Sequence, residues 1–199
     1  MIANIARDDD GEPIPPDFFA RDVVTVARAL IGTMLLVEGV GGTIVETEAY
    51  DAGDPASHCS GGRTARNASM FGPAGHAYVY RSYGLHWCLN FVCTTASAVL
   101  IRALEPTARV ERMIERRGTS DPRLLCAGPG RLCQALGVDG GFDGRPLDAP
   151  PFALSHRAEA VAVSAGPRIG ISKAVETPWR FCREGSRFLS RPAPGVASR

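Results

Sequence analysis

Five short runs with strand character follow one another between residues 33 and 104, each broken from the next by turn-forming residues. They cover 33–38, 43–50, 76–82, 86–93 and 97–104, the last ended by Pro106. Gly39 to Gly42 read as the turn of a first hairpin, and Tyr83-Gly84 as the tip of a second, protruding one. Helical patterns flank this block. A first helix is expected from Pro16-Asp17, with Phe18, Val23, Val26, Ala27 and Leu30 as its apolar stripe and Gly32 as its stop. A second is expected over 107–117 with Thr107 as N-cap, and a third over 129–136 ended by Gly137. Later strands are expected at 161–171 and 179–181. Strands grouped together and helices set to the sides make an α+β domain. It spans 16–190, with a polar tail at 1–15 and a Pro- and Gly-bearing tail at 191–199.

The chain has 199 residues, 45% of them hydrophobic and 22% charged, enough to bury one core. Its first ten residues are acidic and lack the apolar run of a secretory leader. No stretch approaches the roughly 18 apolar residues of a membrane span, so a cytoplasmic location is expected, with nucleoid association in a bacterium. Six cysteines contain no CxxC pair, and the four histidines have no ligand spacing. Reduced thiols and no metal are expected; Cys126 and Cys133, seven apart, would share a face on one helix and read as core residues. Net charge is +1, but it is unevenly spread. Residues 1–57 hold 3 Arg and 11 acids, net −8, whereas 58–131 hold 10 Arg and 4 acids, net +6. A basic middle suits a phosphate-binding face.

In the strand at 43–50, Glu46, Glu48 and Tyr50 fall on one face and Val45, Thr47 and Ala49 on the other. A strand glutamate alone reads as a solvent-facing charge. Glu48, however, shares its face with Tyr50 just before a long loop, 51–73, that holds His58. Glu, Tyr and His at a strand end are the material of a pocket. Tyr78 and Tyr80 share a face of another strand, and stacked aromatics suit planar, cationic ligands. A large aromatic such as Tyr83 at a wet hairpin tip asks for a function.

These residues sit in stretches that resemble the alkyladenine (3-methyladenine, or N-methylpurine) DNA glycosylase family. The matching motifs are Gly42-Thr-Ile-Val-Glu-Thr-Glu-Ala-Tyr50, Gly61-Gly-Arg63 with Arg66-Asn67 and Met70-Phe71, and Tyr78-Val-Tyr-Arg-Ser-Tyr-Gly84 leading to Cys88-Leu-Asn90. Leu100-Ile-Arg-Ala-Leu-Glu-Pro106, the run from Cys126 to Leu136, Arg168-Ile-Gly-Ile-Ser172 and Pro178-Trp-Arg-Phe181 continue the match. The resemblance implies one α+β domain with a curved antiparallel sheet. It implies that Glu48 aligns and deprotonates the attacking water, and that Tyr50, His58 and Tyr80 sandwich a flipped base. Asn90 would crowd the 2-amino group of guanine at the pocket floor, Tyr83 would enter the DNA gap, and Arg102 would hold the flipped nucleotide through its phosphate.

The substrate implied is double-stranded DNA bearing alkylated purines, acted on by a monomer without cofactor. A base in the stack is out of reach, so it must be flipped out. The C1′–N bond then breaks with oxocarbenium character, which an anionic carboxylate stabilises. N3- and N7-alkylated purines are already cationic and leave readily. Hypoxanthine and ethenoadenine are further possible substrates. With Lys173 the sole lysine, and none near the site, a Schiff-base lyase has no nucleophile, so a monofunctional enzyme is expected. Two other readings compete: a non-catalytic nucleic-acid-binding module on the same sheet, and a small-molecule hydrolase using Glu48 and His58. Glu46, on the face of Glu48, competes as the base.

Overall fold

The computed structural model describes residues 11–157 and 159–195. A single 3-10 turn at Pro16–Phe18 precedes the first helix, α1 (Val23–Ala29). Asp22, not Asp17, caps α1: its carboxylate accepts from the Thr25 N–H at 2.8 Å. Phe18 and Phe19 still join the core from the turn ahead of it.

Strands β1 (Met34–Val37) and β2 (Val40–Tyr50) form the first hairpin, turning at Glu38 and Gly39 with φ of 52° and 78°. The turn is thus shorter than the four residues expected, and Gly41 and Gly42 belong to β2. They are glycines because the flanking strands press on them. A Cβ would lie 1.9 Å from the Leu35 carbonyl at Gly41 and 2.0 Å from the Glu105 carbonyl at Gly42.

Strands β3 (Ala77–Ser82) and β4 (His86–Val92) make the protruding hairpin, and β5 (Ala98–Ala108) follows. Pro106 does not end β5. It pairs with Gly42 at a register shift, beyond the residues that β4 reaches, where a missing N–H costs little. The longer strand delays the next helix: α2 (Val110–Arg117) starts after a left-handed Arg109, not at Thr107. A one-turn helix α3 (Pro122–Leu125), absent from the sequence reading, precedes α4 (Pro129–Leu136), which ends at Gly137 as expected. A short strand β6 (Phe152–Ser155), also not anticipated, leads to β7 (Val163–Gly166) and β8 (Arg180–Arg183).

Every pairing is antiparallel, in the order β3-β4-β5-β2-β1-β6, and the sheet is curled. β2 is its centre. β5 runs along one edge, while the other edge pairs first with β1 and then, over Glu46 to Glu48, with β8, which carries β7. Ahead of the expected start at 16, Ile14 is buried and its N–H donates to the Leu154 carbonyl of β6.

Alternation along the strands sorts side chains into two faces. Ala77, Val79, Leu89, Phe91, Val99, Ile101 and Ala49 pack with the helices into the main core. Tyr78, Tyr80, Asn90, Leu100 and Arg102 alternate with them and face the opposite side. One bulge breaks the rule in β2. Val45 packs on Ala103 and Phe188, away from the Thr47 and Ala49 face it was expected to share, because the β2–β5 register shifts on either side of Glu46.

Candidate active site

On the face away from the main core, a cavity of about 730 Å³ opens between the β3–β4 hairpin, β5 and the 169–171 segment. Tyr50, His58, Tyr80, Tyr83, Asn90 and Arg102 all line it, so the fold brings together residues up to 52 positions apart in the chain. Ile169 and Gly170 complete its rim, and Leu85, beside Tyr83, projects from the same hairpin.

Glu48 lies immediately behind this lining, fully buried, with three donors on its carboxylate. The Tyr50 hydroxyl donates to Oε2 at 2.9 Å, Arg102 Nη1 to the same oxygen at 3.1 Å, and the Ile169 backbone N–H to Oε1 at 2.6 Å. Each donor belongs to a residue that lines the cavity. Burial, and then the neighbouring Glu48, push the Tyr50 phenol far above its ordinary range, so it stays a donor. Neither Ile169 nor the Arg168 next to it was picked out as a site residue; only their membership of a matching motif hinted at a role.

Glu46 is just as buried but is differently held. Oε1 accepts from Arg102 Nε at 3.0 Å, Arg180 Nε at 2.8 Å and Ser190 Oγ at 2.7 Å, and Oε2 from the Ser190 N–H at 2.6 Å. Burial alone would raise this carboxyl, but Arg102, Arg180 and Ser190 together hold it below its ordinary range. Glu46 does not line the cavity. Arg102 bridges the two glutamates and is 6% exposed. With Nε on Glu46, Nη1 on Glu48 and Nη2 on Ser190, three of its five N–H groups are engaged inside the cluster, and one remains on each terminal nitrogen.

Aromatic and amide groups shape the rest. The His58 ring stands edge-on to Tyr80 at 4.4 Å, and its Nδ1 lies 2.9 Å from the Tyr78 hydroxyl. Burial, then the Arg66 charge, lower the His58 pKa, which favours the neutral ring. Buried Asn67 donates to the His58 carbonyl at 2.9 Å and ties down the loop. Tyr80 stacks on Tyr78 at 5.4 Å. Asn90 donates its amide to the Tyr78 carbonyl at 3.0 Å, which leaves Oδ1 without a partner among the described residues. Behind Tyr50, the Arg168 guanidinium sits 4.7 Å from the ring centroid and is paired with buried Asp54. Tyr83 is 85% and Leu85 75% exposed, and Tyr83 holds a left-handed φ of 50° at the tip.

All six cysteines are free and buried; Cys59, next to His58 in the chain, donates to the Ala96 carbonyl at 2.9 Å. Among the described residues no three His, Cys, Asp or Glu side chains converge as a metal site, and no helix is long and apolar enough to cross a membrane.

The sequence profile of the methylpurine-DNA glycosylase family matches residues 17–187. Among curated relatives, a protein of Agrobacterium fabrum (strain C58) is 60% identical over 178 residues, covering 89% of this chain and 92% of its own. One from Rhodopseudomonas palustris (strain HaA2) is 61% identical over 185 residues, 92% of each chain. One from Nitrosospira multiformis is 60% identical over 177 residues, 87% of this chain and 92% of its own. Each bears the name "Putative 3-methyladenine DNA glycosylase".

Proposed function

The chain belongs to the methylpurine-DNA glycosylase family, and on that footing we propose that it excises alkylated purines by hydrolysis with Glu48 as general base. It is a DNA glycosylase, a hydrolase of N-glycosidic bonds, and DNA is its substrate. The lesions we assign to it are 3-methyladenine and 7-methylguanine, with hypoxanthine and ethenoadenine as neutral candidates.

One observation carries the choice of Glu48. Its carboxylate is desolvated yet held by three donors that all belong to the cavity wall. A carboxylate has about four acceptor sites, so one is left for a water. Glu46 takes four donors, from Arg102, Arg180 and Ser190, and of these residues only Arg102 lines the cavity, which favours Glu48 as the base.

The reaction follows from these positions. Tyr83 fills the gap in the duplex as the lesion nucleotide swings out, and stacking in that gap offsets part of the few kcal/mol that flipping costs. Tyr50 forms one wall of the base site, and His58 with Tyr80 the other. A neutral His58 suits a purine that carries a positive charge, since a cationic imidazole would repel it. Asn90 lines the pocket and crowds the 2-amino group of unmodified guanine. As the C1′–N bond breaks, its electron pair moves to the purine nitrogen and neutralises the cation. Water adds to C1′ and gives its proton to Glu48, leaving a free base and an intact abasic strand. Lys173 is exposed and does not line the cavity, which supports monofunctional hydrolysis. Arg102 serves to orient Glu48 in this reading, ahead of any phosphate contact.

Single-turnover release of 7-methylguanine from a duplex tests the assignment. Glu48→Gln should abolish release while lesion-duplex binding persists. A near-normal rate in the variant would overturn it.

A further inference from the structure

Ser190 lies beyond the last residue matched by the family profile, in a segment outside any helix or strand. It is nonetheless built into the charged cluster behind the cavity. Arg180 of β8 donates to the carbonyls of Arg191 at 2.8 Å and Pro192 at 3.1 Å and straps this segment down. Pro194 then covers Gly166, where a Cβ would lie 2.3 Å from its ring. With the strap in place, the Ser190 N–H and hydroxyl both meet Glu46, and the hydroxyl oxygen also accepts from Arg102 Nη2 at 3.3 Å.

The guanidinium is a rigid planar fork, so fixing two of its nitrogens dictates the third. In Arg102, Nε is fixed by Glu46 and Nη2 by Ser190, and only Nη1 is left for Glu48. An unconstrained arginine prefers to take a carboxylate with two parallel N–H bonds. Such a pairing here would occupy the acceptor site that water needs. The two arginines also balance the two buried glutamates in charge, so Glu46 can sit beside Glu48 without an uncompensated negative charge.

We infer that Ser190, acting through Glu46 and Arg102, is a positioning residue that restricts Arg102 to a single hydrogen bond with Glu48 and so leaves the general base open to water. This rests on Glu48 being the base. Residues 191 and 192, which the sequence alone assigns to a tail, are then part of the working enzyme.

The test uses the full chain. Ser190→Ala keeps the backbone bond to Glu46 and removes only the hydroxyl. It should slow single-turnover release of 7-methylguanine about tenfold, the scale of a small misplacement at a reacting centre, with lesion-duplex Kd unchanged. Ser190→Thr keeps a hydroxyl and should restore the rate. A wild-type rate in Ser190→Ala, a loss that tracks Kd, or no recovery in Ser190→Thr would each overturn the inference. Glu48→Gln is measured alongside. If it is inactive while Ser190→Ala is normal, only the positioning role falls; if it is active, the base assignment fails and the positioning role falls with it.

Discussion

The Tyr50 hydroxyl donates to Glu48 Oε2 at 2.9 Å, two residues away on the same face of one strand. Under the proposed mechanism Tyr50 therefore has two tasks, to wall the cavity with its ring and to orient Glu48 with its hydroxyl. Tyr50→Phe separates them. Hydrogen bonds to charged groups are worth about 1.5–3 kcal/mol, so the single-turnover rate should fall by roughly tenfold or more. Lesion affinity should stay close to wild type, because the ring remains. Equal losses in rate and affinity would count against the division.

At the hairpin tip, stability and function should part company. Tyr83 and Leu85 are 85% and 75% exposed, so Tyr83→Ser and Leu85→Ala should leave the melting temperature nearly unchanged. Both should weaken base flipping, Tyr83→Ser the more, read as fluorescence of a reporter base opposite or beside the lesion. Unchanged fluorescence in Tyr83→Ser would remove the wedge role.

The lowered pKa of His58 makes a pH prediction. In the unfolded chain the ring takes up its proton near 6.5, whereas burial, aided by Arg66, delays this in the folded protein. The unfolded state therefore binds more protons in the window below 6.5, so stability falls as pH falls through it. His58→Gln should flatten this part of a melting-temperature profile between about pH 7 and pH 5. Release of a cationic purine should also decline on the acid side in the wild type, as His58 gains charge. A profile identical in both proteins would sink the prediction.

Asp54 and Arg168 form an ion pair with side-chain exposures of 1% and 0%. Removing one partner strands a buried charge, at a cost of about 3–5 kcal/mol. For a chain of this size Asp54→Ala should lower the melting temperature by roughly 10 °C. The Arg168 guanidinium backs the Tyr50 ring and also reaches Trp179, so the same variant should loosen Tyr50 and reduce lesion affinity. Thermal melts and a binding titration check both halves.

Much of this site could be read along the chain. Period-two alternation in β2 through β5 assigned Glu48, Tyr50, Tyr78 and Tyr80 to their faces, and turn residues marked the hairpin that carries Tyr83. These are local properties, set by pleat and by backbone conformation within a few residues. The errors were local too, and arose where a neighbouring strand overrode local preference. Gly41, Gly42 and Pro106 look like turn and stop signals, yet lie inside β2 and β5, the glycines because the flanking strands leave no room for a Cβ and Pro106 because it lies beyond the residues that β4 reaches.

The sequence by itself determined that Glu46 and Glu48 lie on one face next to Tyr50, and it carried the motifs that identify the family. It did not distinguish the roles of the two carboxylates, since alternation treats them alike. Tertiary structure sets their surroundings apart by bringing Ser190, Arg180 and Arg102 to Glu46, and Ile169, Tyr50 and Arg102 to Glu48. Most of these partners lie 54 to 144 positions away. A buried carboxylate takes its function from what surrounds it, and here those surroundings come from β5, β8 and the 169 and 190 segments, which only the folded sheet gathers around β2.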